Sequence, residues 1–536
     1  MYSKAQVRCY YSMVASFYVQ NFGCRATQAD GAAIERQFEN QGLERADAAA
    51  DAEIVVLNTC TVTAAADQDA RAAIRRVHRE NPQAKIVVTG CYAQRAPEEL
   101  AAIPGVAQVI GNSHKHKLAG IAVTENLHRS ATPSPATGSF VPLNTLSAAS
   151  DPSQRPTTDD QRPAFGQRQL FVSDIFAHTE LITAPVFDAA NERTRPNLKV
   201  QDGCDNRCSF CIIPFVRGQS RSMKQDQILR EVNVLVTAGY RELVISGINL
   251  GRWGRDLEAV DRPQVTSDRF STERVGKTAE IVGSSRRPDF VSLIRAIVQH
   301  TRLEKLRISS VEPMDWTDEL IALVASSPRI AKHAHVPMQS GSDAVLRRMH
   351  RKYRPWHYRE KIEKIRVTMP TAAIGADVMV GFPGETDTEF DETYRMIEDL
   401  PFTYLHVFTY SPRPGTPAAD LPRQVPVHVA RERNRILREL AEQKKLSFMR
   451  SFIGQTVEAI TLTGAGKSGV DTPFREDHGF TEALTDNYLK LRFYGAHPPN
   501  LWIRGQVLEV QDAALVATIK SRIESHNVPP PVWGAG

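Results

Sequence analysis

The stretch Lys199-Val-Gln-Asp-Gly-Cys-Asp-Asn-Arg-Cys-Ser-Phe-Cys-Ile-Ile-Pro-Phe-Val-Arg-Gly218 holds three cysteines within eight residues of the chain. Cys204, Cys208 and Cys211 follow a strand-like run and have the spacing C-x3-C-x2-C. Three thiolates in one short loop suit an iron–sulfur cube, and they leave one of its four irons open to another ligand. The alternatives are a chance grouping and a zinc site, but no fourth Cys or His lies between residues 199 and 224. The loop therefore predicts an iron–sulfur cluster with an open iron.

Outward from this loop, strand-like runs alternate with amphipathic helical stretches over residues 191–445. This alternation predicts parallel strands joined by helices, in a partial barrel of six βα units rather than a closed eight. A polar stretch at 257–288 is predicted to be an insertion, and a charged helix is predicted at 427–449. The six strand-like runs are 198–201, 242–246, 305–309, 333–337, 376–380 and 404–408.

A second cysteine pattern lies in the block 16–120, which alternates four strand-like runs with helical stretches and predicts an open parallel sheet. Cys24, Cys60 and Cys91 each come at or just after the end of one of the first three strands. The carboxyl ends of parallel strands face one crevice, so the pattern predicts a second site with three thiolates. The alternative is three cysteines buried as small apolar residues. Cys9 fits neither group and is predicted to be incidental.

Composition bounds the remaining possibilities. The chain has 536 residues with 42% hydrophobic and 24% charged residues, which excludes a wholly disordered, collagenous or coiled-coil protein. Seven cysteines are an odd number and too sparse for a disulfide framework in a chain of this length. No apolar run reaches the length of a membrane span. The net charge of +5 permits a nucleic-acid partner without arguing for one. Residues 121–190 predict a flexible linker, and 452–522 predict a small antiparallel β-barrel.

The cysteine loop resembles that of the radical S-adenosylmethionine (SAM) methylthiotransferases, through Phe210 and the motif Ile-Pro-x-x-Arg-Gly at 213–218. Gly-Cys at 23–24, Asn-Thr-Cys at 58–60 and Gly-Cys at 90–91 also resemble this family. The resemblance implies two 4Fe-4S clusters and SAM as cofactors. Cys204, Cys208 and Cys211 would then bind the catalytic cluster and Cys24, Cys60 and Cys91 an auxiliary one.

Further residues at the strand ends resemble the family's SAM contacts, although Gly, Pro and Ser there could simply form turns. The residues so assigned are Phe210, Ser246, Gly247, Asn249, Ser309, Glu312, Gln339 and Gly381. The last block resembles a TRAM domain, a small RNA-binding barrel. Its expected RNA contacts are Tyr488, Lys490, Arg492 and Arg504, and the alternative is that these are ordinary residues of a strand surface.

The resemblance also implies the reaction, in which threonylcarbamoyladenosine at position 37 of tRNA becomes its 2-methylthio derivative. The segments 201–206 and 247–252 resemble this branch most. The alternatives are isopentenyladenosine-37 of tRNA or a ribosomal protein as substrate, another radical SAM enzyme such as a methyltransferase, and a non-enzymatic iron–sulfur RNA-binding protein. The expected partners are tRNA, a flavodoxin- or ferredoxin-like electron donor and a sulfur donor, in the cytoplasm and without a membrane.

Overall fold

The computed structural model describes residues 15–123, 169–178, 181, 195–258, 287–462 and 479–523. Cys9 and residues 259–286 of the predicted insertion lie outside these ranges. Within them, no helix is both long and apolar enough to cross a membrane.

The first unit is a six-stranded sheet in the order β2-β1-β3-β4-β5-β6 in which every pair is parallel. The central strand β3 is buried at all six positions because helices cover both faces of the sheet. The predicted open parallel sheet is therefore confirmed. Its strands are β1 Ser16–Asn21, β2 Glu44–Arg45, β3 Ile54–Thr59, β4 Lys85–Gly90, β5 Val106–Gly111 and β6 Gln169–Phe171. Its helices are α1 Arg25–Glu39, α2 Ala64–Glu80, α3 Cys91–Arg95, α4 Pro97–Ala101 and α5 Leu118–Val123.

Strand β6 lies inside the range 121–190 that the sequence predicts as a linker. It pairs with β5, so this short piece belongs to the sheet. Residues 124–168, where most of the predicted linker lies, are outside the described residues.

The second unit is the predicted partial barrel. Its parallel strands form two sheets, β10-β9-β7 and β11-β12-β13, with β8 added antiparallel at the β7 edge. A bridge between Leu306 and Ile330 joins the two sheets. The strands are β7 Asn197–Asp202, β8 Arg221–Ser222, β9 Glu242–Gly247, β10 Lys305–Ile308, β11 His333–His335, β12 Ala373–Val380 and β13 Tyr404–Thr409. The helices are α6 Ile213–Arg217, α7 Gln225–Thr237, α8 Phe290–His300, α9 Asp318–Ser326, α10 Asp343–Arg348, α11 Pro355–Thr368, α12 Asp387–Asp399 and α13 Val427–Arg450.

The third unit is a closed barrel of five strands in the order β14-β15-β16-β18-β17. Four of its pairs are antiparallel, as predicted, and β16 runs parallel to β18. An odd number of strands cannot alternate in direction all around a closed ring, so one parallel pair is unavoidable. The strands are β14 Thr456–Thr461, β15 Phe480–Thr485, β16 Lys490–Tyr494, β17 Trp502–Gln511 and β18 Ala514–Ile523.

The turn between β15 and β16 docks against the partial barrel near the amino ends of its strands. Arg307 on β10 is fully buried and forms an ion pair of 2.7 Å with Glu242 on β9. The same guanidinium donates to the carbonyl oxygens of Thr485 and Asp486, each at 3.0 Å. The third unit is thereby fixed to the second by hydrogen bonds that are shielded from water.

Candidate iron–sulfur and substrate site

The loop with Cys204, Cys208 and Cys211 begins where β7 ends. Gly203 has a φ of +71°, and a Cβ added there would lie 1.8 Å from the carbonyl oxygen of Gln219. Only glycine fits this turn, because its neighbour is rigid backbone and the conformation is left-handed. The Cys204 amide donates to the Gly218 carbonyl at 3.0 Å, which closes the base of the loop.

We expect Gly203→Ala to disturb this loop and to reduce iron incorporation at these cysteines. The clash involves backbone on both sides, so the loop must shift rather than a side chain rotate. Iron content after anaerobic reconstitution measures the effect. Gly239→Ala is the matched control, because Gly239 also has positive φ but a Cβ there would meet no atom within 4 Å. Full iron content in Gly203→Ala would contradict the expectation.

The sulfur atoms of this loop face hydrogen-bond donors. Cys204 Sγ accepts from the Asn206 amide at 3.4 Å and from Asn249 Nδ2 at 3.5 Å, and Cys208 Sγ accepts from Arg351 Nη1 at 3.2 Å. Burial raises the pKa of Cys204, and burial together with the charge of Cys208 raises the pKa of Cys211 to about 12. Donors around buried thiols fit metal-bound thiolates, since metal binding replaces the thiol protons.

The second triad lies at the carboxyl edge of the first sheet. The loops of Cys24 and Cys60 adjoin, because a Cβ on Gly23 would lie 2.6 Å from Cys60 Cβ. Cys60 and Cys91 are buried, whereas Cys24 is exposed. Burial and the charges of Cys91 and Cys24 raise the pKa of Cys60 to about 12. The strand ends thus bring the three thiols into electrostatic contact.

The two cysteine triads are neighbours. Cys91 packs against Ile212 and Val216. Ile212 directly follows Cys211 and precedes the short helix α6, and Val216 lies within that helix. Asn112 Nδ2 donates to the Val216 carbonyl at 2.7 Å and also to Cys91 Sγ at 3.6 Å. The end of the first loop therefore forms part of the wall around the second triad.

Across the described part of the chain, no group of three or more His, Cys, Asp or Glu side chains has the spacing needed for a single metal ion. The thiolates that bind a cube ligate different iron atoms, so they stand farther apart than the ligands of one ion. Both triads fit a cube by the chemistry of their donors: three sulfurs each and neighbouring N–H groups.

A buried network of charges joins the two units beside the second triad. Asp30 on α1 accepts from Lys115 Nζ and Arg217 Nη2, each at 3.0 Å, and from Lys199 Nζ. Asp202 accepts from Lys199 Nζ at 2.9 Å and from Arg217 Nη1 at 2.9 Å. Burial lowers the pKa of Arg217, but Asp202, Cys91 and Asp30 outweigh it and raise the pKa well above its usual range. Arg217 therefore stays charged next to the thiols.

Three of the predicted SAM contacts lie together at the end of β9. The Asn249 amide donates to Gln201 Oε1 at 2.7 Å, and Gly247 lies against the same glutamine. Ser246 and Asn249 are buried, and among the described residues neither Ser246 Oγ nor Asn249 Oδ1 has a hydrogen-bond partner. Asn249 also contacts Cys204, and the two unpartnered oxygens fit a polar ligand at this strand end.

The other predicted SAM contacts are spread more widely. Phe210 packs edge-on against Phe382 at 6.4 Å between ring centroids. Ser309 lines a large cavity described below, and Gln339 has a φ of +63° in a bend that pairs with β12. Gly381 lies against α13, since a Cβ there would meet Ala430 Cβ at 2.5 Å. The close approach of α13 to the end of β12 therefore accounts for a glycine at position 381.

Sequence reasoning missed Arg351. Its guanidinium is ion-paired with Glu312 and also donates to Cys208, so it links a predicted SAM contact to the cysteine loop. Burial lowers the pKa of Arg351, but the charges of Tyr353 and Glu312 outweigh it and raise the pKa well above its usual range. The basic run 347–354 is the only sequence signal for this residue.

The structure separates the residues predicted to contact RNA. Tyr488 does not share an outer face with the others: its ring lies 4.4 Å from the His333 ring and 4.4 Å from the Arg307 guanidinium, at the partial barrel. Arg492 pairs with Glu482 and Asp512, and Arg504 pairs with Glu458 at 2.8 Å. Lys490 is exposed. The ring of Tyr488 also lines the large cavity described below, and contact of these four residues with RNA stays a prediction.

A cavity of about 760 Å³ lies between the three units. It extends from Cys24 of the second triad to Ser309 at the end of β10, and its wall includes the inner faces of β11 and β13, one side of α13 and Tyr488. This volume is within the range of cavities that bind small molecules or a single nucleoside.

Comparison with known proteins agrees with this architecture. The model of uncharacterized protein family UPF0004 matches residues 16–111, and the model of the Radical SAM superfamily matches residues 198–397. The chain is 33% identical over 482 residues to threonylcarbamoyladenosine tRNA methylthiotransferase MtaB of Bacillus subtilis (strain 168), covering 90% of this chain and 91% of the relative. It is 32% identical over 445 residues to the protein of that name from Aquifex aeolicus (strain VF5), covering 83% and 92%. It is 31% identical over 461 residues to tRNA-2-methylthio-N(6)-dimethylallyladenosine synthase 1 of Mycobacterium marinum (strain ATCC BAA-535 / M), covering 85% and 77%.

Proposed function

The chain belongs to the radical SAM methylthiotransferase family, and from this premise we propose that it converts threonylcarbamoyladenosine at position 37 of tRNA to its 2-methylthio derivative. The observation that carries the reaction type is the pair of cysteine triads that meet across α6. The substrate rests on the relatives that match over nine-tenths of their own length, which are threonylcarbamoyladenosine methylthiotransferases.

The cofactors of this enzyme are SAM and 4Fe-4S clusters. Cys204, Cys208 and Cys211 would bind the cluster whose open iron takes SAM, and the triad at the sheet edge would bind the auxiliary cluster. When bound, these groups supply the reductive cleavage of SAM, the removal of a hydrogen atom from the adenine ring, and the sulfur and methyl group of the product.

The chain's own residues position these groups. Arg351 and Asn249 donate to the sulfurs of the first triad, and Arg351 also orients the Glu312 carboxylate. Arg217 places a permanent positive charge beside the second triad, where thiolates would concentrate negative charge. The cavity next to Cys24 would receive the target base and exclude bulk water from it.

The proposed reaction also needs partners outside the chain. A flavodoxin- or ferredoxin-like protein would supply electrons, because reductive cleavage consumes them. A sulfur donor would replace the sulfur that leaves with each product. Since the substrate is tRNA, we place the enzyme in the cytoplasm.

Nucleoside mass spectrometry of tRNA tests the proposal. A deletion strain should lack 2-methylthio-threonylcarbamoyladenosine, should accumulate its unmethylthiolated precursor, and should recover the product when the gene is supplied on a plasmid. The methylthio derivative of isopentenyladenosine is the internal control and should not change. Loss of that control nucleoside instead would assign the chain to the other tRNA branch.

A further inference from the structure

The cavity beside Cys24 carries an excess of positive charge. Its wall includes Arg25, Arg438 and Lys445, and Glu442 is the one carboxylate that lines it among the described residues. No carboxylate of the described ranges forms an ion pair with any of the three basic side chains. A cavity with unpaired cations on its wall favours an anionic ligand, because these cations have no counter-charge in the protein.

Arg25 is the basic residue nearest to the chemistry. It follows Cys24 directly in the chain and begins α1. Its carbonyl oxygen accepts from Asn197 Nδ2 at 3.2 Å, which ties this residue's backbone to β7 of the partial barrel. The side chain therefore enters the cavity from a backbone anchored on both units.

Two histidines of the cavity wall, His333 and His406, do not supply positive charge. Burial and the charges of His335, Arg307 and Arg25 lower the pKa of His333 well below its usual range. Burial and the charges of His335 and Arg25 likewise lower the pKa of His406. Both rings are neutral at neutral pH, so the positive charge that lies beside Cys24 is that of Arg25.

The threonylcarbamoyl group differs from an isopentenyl group by a carboxylate. A guanidinium can bind a carboxylate through two parallel hydrogen bonds, and it would be left unpaired beside an apolar group. The same residue can thus favour one substituent and disfavour the other. We propose that Arg25 binds the carboxylate of the threonylcarbamoyl group and so selects this substrate, an inference that rests on the proposed function.

Phosphates of the anticodon loop are the other anions that an arginine could bind. Arg438 and Lys445 are better placed for them, because they lie seven residues apart on one side of α13 and form a row of positive charge along that helix. Arg25 adjoins a cysteine of the auxiliary site, where the base itself must lie. The carboxylate on that base is therefore the anion within reach of Arg25.

Binding of synthetic anticodon stem-loops to the reconstituted enzyme tests the proposal. The RNAs carry threonylcarbamoyladenosine, its uncharged carboxamide analogue, or isopentenyladenosine at the target position. Wild-type enzyme should bind the carboxylate form at least about tenfold more tightly than the carboxamide form, as expected for a charge-assisted pair. Arg25→Gln should abolish this ratio, and Arg25→Lys should restore part of it.

Arg76→Gln is the matched control, since Arg76 is exposed on α2 and does not line the cavity. Iron content of each preparation shows whether the auxiliary site is intact. An equal loss of affinity for all three RNAs in Arg25→Gln would indicate a phosphate contact and overturn the proposal, as would an unchanged ratio. A wild-type enzyme without preference for the carboxylate RNA would also overturn the role proposed for Arg25. If the wild-type enzyme methylthiolated only the RNA with isopentenyladenosine, the proposed function would fail as well.

Discussion

Asp30→Asn is expected to lower the free energy of unfolding by about 3–5 kcal/mol, as for other buried ion pairs that lose one partner. Asp30 is 1% exposed and accepts hydrogen bonds from three cations. An amide would leave Lys115 without its carboxylate and Lys199 and Arg217 with Asp202 alone. Calorimetric melting of the whole chain measures the loss. Asp226→Asn on α7 is the control, because the Asp226–Arg230 pair is exposed and should contribute less than about 1 kcal/mol.

The acid sensitivity of the protein should depend on the same carboxylate. Burial raises the pKa of Asp30, but the charges of Lys115, Lys199 and Arg217 outweigh it and lower the pKa to about 2. A carboxyl group whose pKa is lower in the folded state stabilises the protein above its ordinary pKa and loses that contribution as the pH falls towards the folded value. The difference in stability between wild type and Asp30→Asn should therefore shrink between pH 4 and pH 2. A difference that stays constant over this range would contradict the assignment.

The two lysines of this network respond differently to burial. Burial lowers the pKa of Lys115, and the opposing charge of Asp30, its carboxylate partner among the described residues, does not fully offset this effect. Burial also disfavours the charge on Lys199, but Asp202 and Asp30 together outweigh it and raise its pKa. Lys115 is therefore the group that should release its proton first in Asp30→Asn, which limits the cost of the substitution.

The cysteine sites were predictable because their signal is local. The three cysteines of the cluster loop lie within eight residues, and the other three follow β1, β3 and β4, which are neighbours in the sheet. Parallel topology alone then brings Cys24, Cys60 and Cys91 to one edge. The alternation of strands and helices predicted the first two units, and the succession of strand-like runs predicted the third, for the same reason: hydrophobic periodicity depends on near neighbours in the chain.

The contacts between units were not predictable in this way. Lys199 meets Asp30 across 169 positions, and Arg307 meets the carbonyl of Asp486 across 179. No periodicity encodes such pairs, because they depend on how finished units dock. Tyr488 shows the consequence: on sequence it resembles an aromatic residue on the outer surface of an RNA-binding barrel, and docking places its ring against Arg307 and the cavity between the units.

Cys60→Ala is expected to abolish methylthiolation while leaving the cleavage of SAM in place. The substitution removes a buried thiol of the second triad and leaves the three cysteines of the first triad in place. Iron content should fall from about eight to about four atoms per chain, since one of two four-iron clusters is lost. Anaerobic reconstitution with iron and sulfide counts measures the first effect, and nucleoside analysis with assay of 5′-deoxyadenosine measures the second.

Cys208→Ala should give the complementary result and completes the test. Its sulfur is the acceptor of the Arg351 hydrogen bond in the first triad, so this variant should lose both SAM cleavage and methylthiolation with the same fall in iron. Cys9→Ala is the matched control for both, because Cys9 is predicted to belong to neither triad and lies outside the described residues; its iron content and activity should equal those of wild type. If Cys60→Ala kept all its iron, the second triad would not be a cluster site. If Cys60→Ala and Cys208→Ala behaved alike in SAM cleavage, the division of roles between the two triads would be wrong, because the predicted SAM contacts Asn249 and Glu312 lie beside the first triad.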